Sequence, residues 1–258
     1  MVTSAKGGVG KSTVCANLGA ALAMSEKRVL LIDCDEANRC LDLMMGLEST
    51  VTAGLIEVLR GSIPYRDAIT ALPSLPSLFL LPGYAHFGSD EIPHLSEEFA
   101  GLVKRITHES GSSFDYIIID TPGGNPDLIR CAASVSERAL VVSTEQATSV
   151  RSAAGTSVLL SECGIPDVRL IINQFFGGNT KRQRLEAEFS LVSMIDEIGV
   201  QLLGVIPYDR SLWKLQNAGL LINDSAYSKS TVVSAFRNIS ARILWKNVPL
   251  FSGIKGYS

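Results

Sequence analysis

Near the start of the chain stands Ser4-Ala5-Lys6-Gly7-Gly8-Val9-Gly10-Lys11-Ser12-Thr13. Gly7, Gly8 and Gly10 open backbone conformations closed to other residues, so that successive N–H groups turn inward as a nest for an anion. The run that follows, Thr13 to Ala23, is apolar and rich in small residues. It reads as a helix that packs closely on a sheet and aims its N-terminal dipole at the same nest. Lys11 supplies a point charge for terminal phosphates, and the Ser12 hydroxyl is placed to ligand Mg2+. A glycine-rich turn beside a basic residue is the plain alternative. The Lys-Ser pair, the helix behind it and the aspartates described below outweigh that alternative. Two features depart from the pattern G-x-x-x-x-G-K-[ST]: Ala5 occupies its first glycine position, and a second lysine, Lys6, precedes the glycines.

Working outward, apolar runs of strand length recur at 28–33 (RVLLID), 77–83 (SLFLLPG), 115–120 (DYIIID), 138–144 (RALVVST), 168–173 (VRLIIN) and 201–207 (QLLGVIP). They are continuous rather than alternating, which points to strands buried on both faces of a parallel sheet. Helical patterns lie between them at about 12–26, 95–109, 148–162, 182–198 and 231–247. The expected fold class is therefore α/β, a doubly wound, mostly parallel sheet flanked by helices, in one domain over 1–248 with a C-terminal tail at 249–258. The proline-dense stretch 61–94 reads as an irregular excursion. A central first strand should feed the phosphate loop, yet only Met1 to Ser4 is at hand for it. Either that strand is unusually short, or the start lies downstream of the natural one.

The 258 residues are 46% apolar and carry a formal net charge of -3, which does not suggest a nucleic-acid binder held by bulk charge. No window approaches the roughly 20 apolar residues of a spanning helix. A cleaved signal peptide is not expected, because cleavage would remove the loop. The five cysteines form no Cys-x-x-Cys and read as small buried hydrophobes in a reducing cytoplasm.

Two strand ends carry aspartates. DYIIIDTPGG ends in Asp120, where a carboxylate holds Mg2+ through water, and Gly123-Gly124 let the next loop move with a γ-phosphate. RVLLIDCD ends in Asp33 and Asp35. One carboxylate at that place orients or activates an attacking water while Mg2+ and Lys11 stabilise charge on the transferring phosphoryl group. A solubilising strand-end carboxylate is the alternative for each, and for Asp33 the two readings are evenly balanced.

The string Lys6 to Thr13, K-G-G-V-G-K-S-T, resembles the deviant phosphate loop of the MinD/ParA family of ATPases. In that family the early lysine reaches across a dimer interface to the phosphates of the other subunit, so the resemblance implies that Lys6 makes dimerisation depend on ATP. It also implies that Asp35 is the water-activating residue and that Asp33 belongs to the metal's outer shell. Leu41-Asp42-Leu43-Met44-Met45-Gly46-Leu47-Glu48 matches the MinD-like continuation, while Ala37, Asn38 and Cys40 depart from it. ALVVSTEQATSVRSAAG (139–155) resembles the stretch after the metal-binding strand. RLIINQ (169–174) and GVIPYD (204–209) resemble adenine-binding segments, which implies that Asn173 bonds the base and that Pro207 and Asp209 line it. The nucleotide cradle so implied is Gly7, Gly8, Val9, Gly10, Lys11, Ser12 and Thr13, with Lys6, Lys11 and Asp35 catalytic and Ser12, Asp120 and Asp33 around the metal.

The resemblance implies an ATP-hydrolysing dimerisation switch for spatial positioning, MinD-like, with an activating regulator protein and a place in the cytoplasm or at the inner face of the cell membrane. ParA-type segregation or flagellar or pilus placement is the nearest alternative. A metal-cofactor maturation ATPase is the alternative of another class, and it would favour paired cysteines. MinD-like members end in a basic amphipathic helix that inserts into the bilayer. Here the last helical pattern, 235–248, reads as docked on the core through Phe236, Ile239, Ile243 and Leu244. The tail beyond it is apolar but weakly charged, a weak membrane anchor at most. Lys181-Arg182-Gln183-Arg184 is the one dense basic run, and DNA binding is not expected from it.

Overall fold

A continuous apolar run becomes a strand here because both of its faces are covered. In the computed structural model, which describes residues 1–35, 40–83, 92–109, 114–176 and 190–252 (92–95 by backbone alone), β2 (Val29–Asp33) is buried at every position. Its Leu31 packs with one core cluster, while Leu30 and Ile32 pack with another on the opposite face. The remaining strands are β1 (Val2–Thr3), β3 (Thr70–Leu72), β4 (Leu75–Leu81), β5 (Tyr116–Asp120), β6 (Arg138–Ser143), β7 (Asp167–Phe175) and β8 (Gln201–Pro207). They form one sheet in the order β3-β4-β2-β5-β1-β6-β7-β8. All neighbours are parallel except β3 and β4.

The helices are α1 (Lys11–Ala23), α2 (Cys40–Met44), α3 (Leu55–Leu59), α4 (Tyr65–Ala68), α5 (Ile92–His108), α6 (Pro126–Ala133), α7 (Ala147–Glu162), α8 (Leu191–Ile198), α9 (Arg210–Asn217) and α10 (Thr231–Ile243). Helices α1 and α10 cover one face of the sheet, and α5, α6, α7 and α8 cover the other. All six expected strands are present. The stretch read as an irregular excursion instead holds α4, β3 and all of β4. The basic run at 181–184 and the first half of the helix expected at 182–198 lie outside the described residues.

The first strand is short but fully engaged. Val2 pairs with Asp120 on one side and with Leu140 on the other. The Met1 ammonium donates to the Arg138 carbonyl at 2.8 Å. Below β1, between β5 and β6, runs a cleft of about 850 Å³ at the edge of the sheet opposite the phosphate loop. The register of β2 on β5 sets Asp33 directly beside Asp120.

The last helix stops at Ile243, four residues before the expected end, because Trp245 takes a left-handed φ of 61°. Phe236, Ile239 and Ile243 are buried, so this helix is docked on the core. Beyond it the chain turns across β8, the edge strand. The Arg242 guanidinium donates to the carbonyls of Leu203, Val248 and Pro249, and the Asn238 amide donates to that of Ser252. Leu250 and Phe251 then pack with the core cluster of the far face.

Candidate active site

Strand ends, not helix faces, carry the site, since β1, β2, β5, β6, β7 and β8 all finish along one edge of a parallel sheet. The phosphate loop leaves β1 and enters α1 at Gly10, whose φ of 89° is left-handed. A Cβ at Gly10 would also lie 2.3 Å from Asn173 Nδ2, so glycine is required there twice over. No side chain caps α1. Its first-turn N–H groups therefore remain available to an anion, whereas Asn125, Ser190, Asp209 and Ser230 cap α6, α8, α9 and α10.

The two lysines of the loop go different ways. Lys11 is buried, and a Cβ at Gly123 would sit 3.0 Å from its Nζ and 3.4 Å from Gly7 N. The loop after β5 thus lies directly on the phosphate loop, and a side chain at position 123 would crowd it. Lys6 turns outward. Its ammonium donates to Gln146 Oε1 at 2.7 Å and to Thr148 Oγ1 at 2.8 Å, at the start of α7. Sequence reasoning missed Gln146 and Thr148, although both lie in the stretch 139–155 that it singled out. One residue earlier, Glu145 accepts the N–H of Phe176, and the Phe176 ring stacks on Tyr208 at 4.5 Å.

Asp120 is fully buried, with no hydrogen-bond partner at either carboxylate oxygen. Burial pushes its carboxyl up to about 6, against the pull of the neighbouring Ser12 hydroxyl, Cys15 thiol and Lys11 ammonium. A partnerless buried carboxylate beside the loop's serine fits a divalent cation. Asp33 differs. Its Oδ1 accepts the Asp35 N–H at 2.9 Å and its Oδ2 the Leu41 N–H at 3.4 Å. Burial and the facing Asp120 charge push it up to about 8. Asp33 therefore ties down both ends of the segment that carries Asp35, a buried residue itself.

Near the end of β7, Asn173 is buried and its amide donates to the Val9 carbonyl at 2.8 Å, so it braces the phosphate loop. The next residue, Gln174, sits at a positive φ of 55°, beside a register shift in β7. Such strain persists where the surroundings over-determine it. Pro207 is buried at the end of β8. Asp209 is the N-cap of α9: one oxygen accepts the Ser211 N–H at 2.8 Å and the other the Ser230 hydroxyl at 2.9 Å. Burial raises its pKa, but these hydrogen bonds outweigh that and hold the carboxyl below its usual range. The structure thus gathers Gly7 to Thr13, Asp33, Asp35, Asp120 and Asn173 around one loop and gives Asp209 a capping position at the rim.

A family model described as ParA, NUBPL iron-transfer P-loop NTPase, matches residues 1–244. The chain belongs to the MinD/ParA family of P-loop ATPases. Among curated relatives it is 35% identical over 250 residues to the septum site-determining protein MinD of Synechocystis, covering 96% of this chain and 90% of that protein. Among solved structures it is similar to the MinC:MinD cell division protein complex of Aquifex aeolicus, with a TM-score of 0.84, 30% identity and 96% of each chain covered. It is also similar to MinD of Pyrococcus horikoshii complexed with Mg-ADP, with a TM-score of 0.78, 25% identity, and 94% and 93% of the two chains covered. Within the family the relatives are MinD, and the chain is a MinD-like ATPase. Among the described residues no helix is long and apolar enough to cross a membrane.

Proposed function

We propose that this ATPase is a dimerisation switch for spatial positioning, of the kind that places a division site, and that Lys6 acts in trans. The observation that carries the reading is the split of the two lysines. Lys11 stays in its own loop, while Lys6 is drawn off to Gln146 and Thr148 on the outer face. In the reading, ATP is cradled by the N–H groups from Gly7 to Thr13 and by the Lys11 ammonium. Ser12 and Asp120 hold Mg2+, which supplies charge stabilisation on the transferring phosphoryl oxygens. Asp35, held by Asp33, orients the attacking water and takes its proton. Lys6 leaves Gln146 and Thr148 for the phosphates of a second copy, so that dimerisation reports bound ATP. Lys6→Ala should then keep Mg·ADP binding but lose both ATP-dependent dimerisation and stimulated turnover, measured by light scattering and phosphate release. Intact dimerisation in this variant would remove Lys6 from the switch.

The docking surface of the dimer is a membrane in this proposal, contacted by residues 249–258. Leu250 and Phe251 are packed on the body, so contact begins with their release from the hold of Arg242 and Asn238. Anionic liposomes should pellet the protein only with ATP and only with residues 249–258 present. No pelleting under either nucleotide would shift docking to a protein or DNA surface. The matched family description also names iron transfer. The five cysteines contain no Cys-x-x-Cys, and Cys15 and Cys34 are buried, which favours the positioning reading.

A further inference from the structure

Gln216, in the last turn of α9, makes a contact that the site described above does not use. Its Nε2 lies 2.7 Å from Thr13 Oγ1 and 3.6 Å from Met44 Sδ. A thioether sulfur only accepts, so the amide nitrogen, not the oxygen, belongs on that side. Gln216 is therefore the donor and the Thr13 hydroxyl the acceptor. A hydroxyl that accepts from an amide keeps its own proton to donate elsewhere. Thr13 stands in the uncapped first turn of α1, with its Cβ 3.8 Å from where a Gly10 side chain would begin.

The end of α9 is fixed from two sides. Gly46, after α2, and Gly219, after α9, lie back to back at φ 66° and 65°. A Cβ on either would come within 2.8 Å of the other's backbone. One turn along α1 from Thr13, Asn17 accepts the Ile222 N–H at 3.2 Å and donates to the Thr13 carbonyl at 2.9 Å. Residues 216–222 thus clip the phosphate-loop helix to α2, the helix that closes the Asp35 segment, and Gln216 cannot drift from Thr13.

We infer that Gln216 is a positioning residue for nucleotide binding: it sets the polarity of the Thr13 hydroxyl so that its proton points at a phosphate of the bound nucleotide. The inference rests on the nucleotide reading of the loop. The test is Mg·ADP binding by calorimetry, with Mg·ATP turnover, in the full chain. Gln216→Met keeps length and apolar contact but cannot donate, and should weaken Mg·ADP by about three- to tenfold. Turnover at saturating ATP should stay within about twofold, since the contact serves ground and transition states alike. Gln216→Glu should weaken binding further, because its carboxylate accepts the hydrogen bond of the Thr13 hydroxyl and adds charge beside the phosphates. Thr13→Val should abolish the effect of Gln216→Met, so that this double variant binds no worse than Thr13→Val alone. Unchanged affinity in Gln216→Met, or additive losses in its double variant with Thr13→Val, would overturn the inference. Failure of the unaltered chain to bind Mg·ADP would instead overturn the nucleotide reading beneath it.

Discussion

Asp120 is buried, has no partner at either oxygen, and titrates near 6 because burial disfavours its charge. The folded state therefore holds its proton more tightly than the unfolded chain does. Below about pH 4 both states are protonated and the group's relative contribution to stability is whole. As pH rises from about 4 through 6, the folded state must bury a carboxylate charge that Ser12, Cys15 and Lys11 only partly offset, and that contribution is lost. Asp120→Asn removes the term. Between pH 4 and 7 the nucleotide-free native protein should lose more stability than this variant, by denaturant titration at each pH, because the variant lacks both the buried Asp120 charge and its push on Asp33. At pH 7.5 Asp120→Asn should be the more stable nucleotide-free protein, and the one that gains least from Mg·ADP. Parallel pH curves would show that Asp120 is solvated or paired in solution. Asp33 differs in that each of its oxygens already accepts one backbone N–H, from Asp35 and from Leu41.

At the scale of elements, the phosphate loop works because Gly10 begins α1 in a left-handed turn against Asn173. Gly10→Ala meets both the backbone strain and the 2.3 Å approach to Asn173 Nδ2. It should lower stability by about 1–3 kcal/mol and abolish measurable nucleotide binding in calorimetry. Retained binding would mean that the loop finds another path into the helix. This element was legible in the sequence because glycine spacing and a lysine-serine pair encode backbone shape directly. The long strands were legible for a related reason, since burial on both faces leaves a continuous apolar run. The short helices α2, α3 and α4 span too few residues for a period to show. Helix α6 announces itself only through its cap, Asn125 before Pro126. The second bond to Asp209, beyond its local cap, comes from Ser230, 21 residues away, and the hold on Lys6 depends on Gln146 and Thr148, some 140 residues away. Contacts of that range arise from the sheet order and have no local signature.

For the whole molecule, the sheet brings the phosphate loop, the Asp35 segment and the N-terminus of α7 to one edge, and the proposed switch gives each of these one part. In that proposal the loop would bind, Asp35 would time hydrolysis, and α7 would keep Lys6 until a second copy offers its phosphates. The account then requires two states of assembly set by the nucleotide alone. The most direct measurement is the molar mass in solution of Asp35→Ala, by light scattering with Mg·ATP and with Mg·ADP. A chain of 27.7 kDa should appear at about twice that mass with ATP, at single mass with ADP, and at single mass with both when Lys6→Ala is added. The same mass with ATP and ADP would contradict the switch, and an ATP dimer that survives Lys6→Ala would contradict the part given to Lys6.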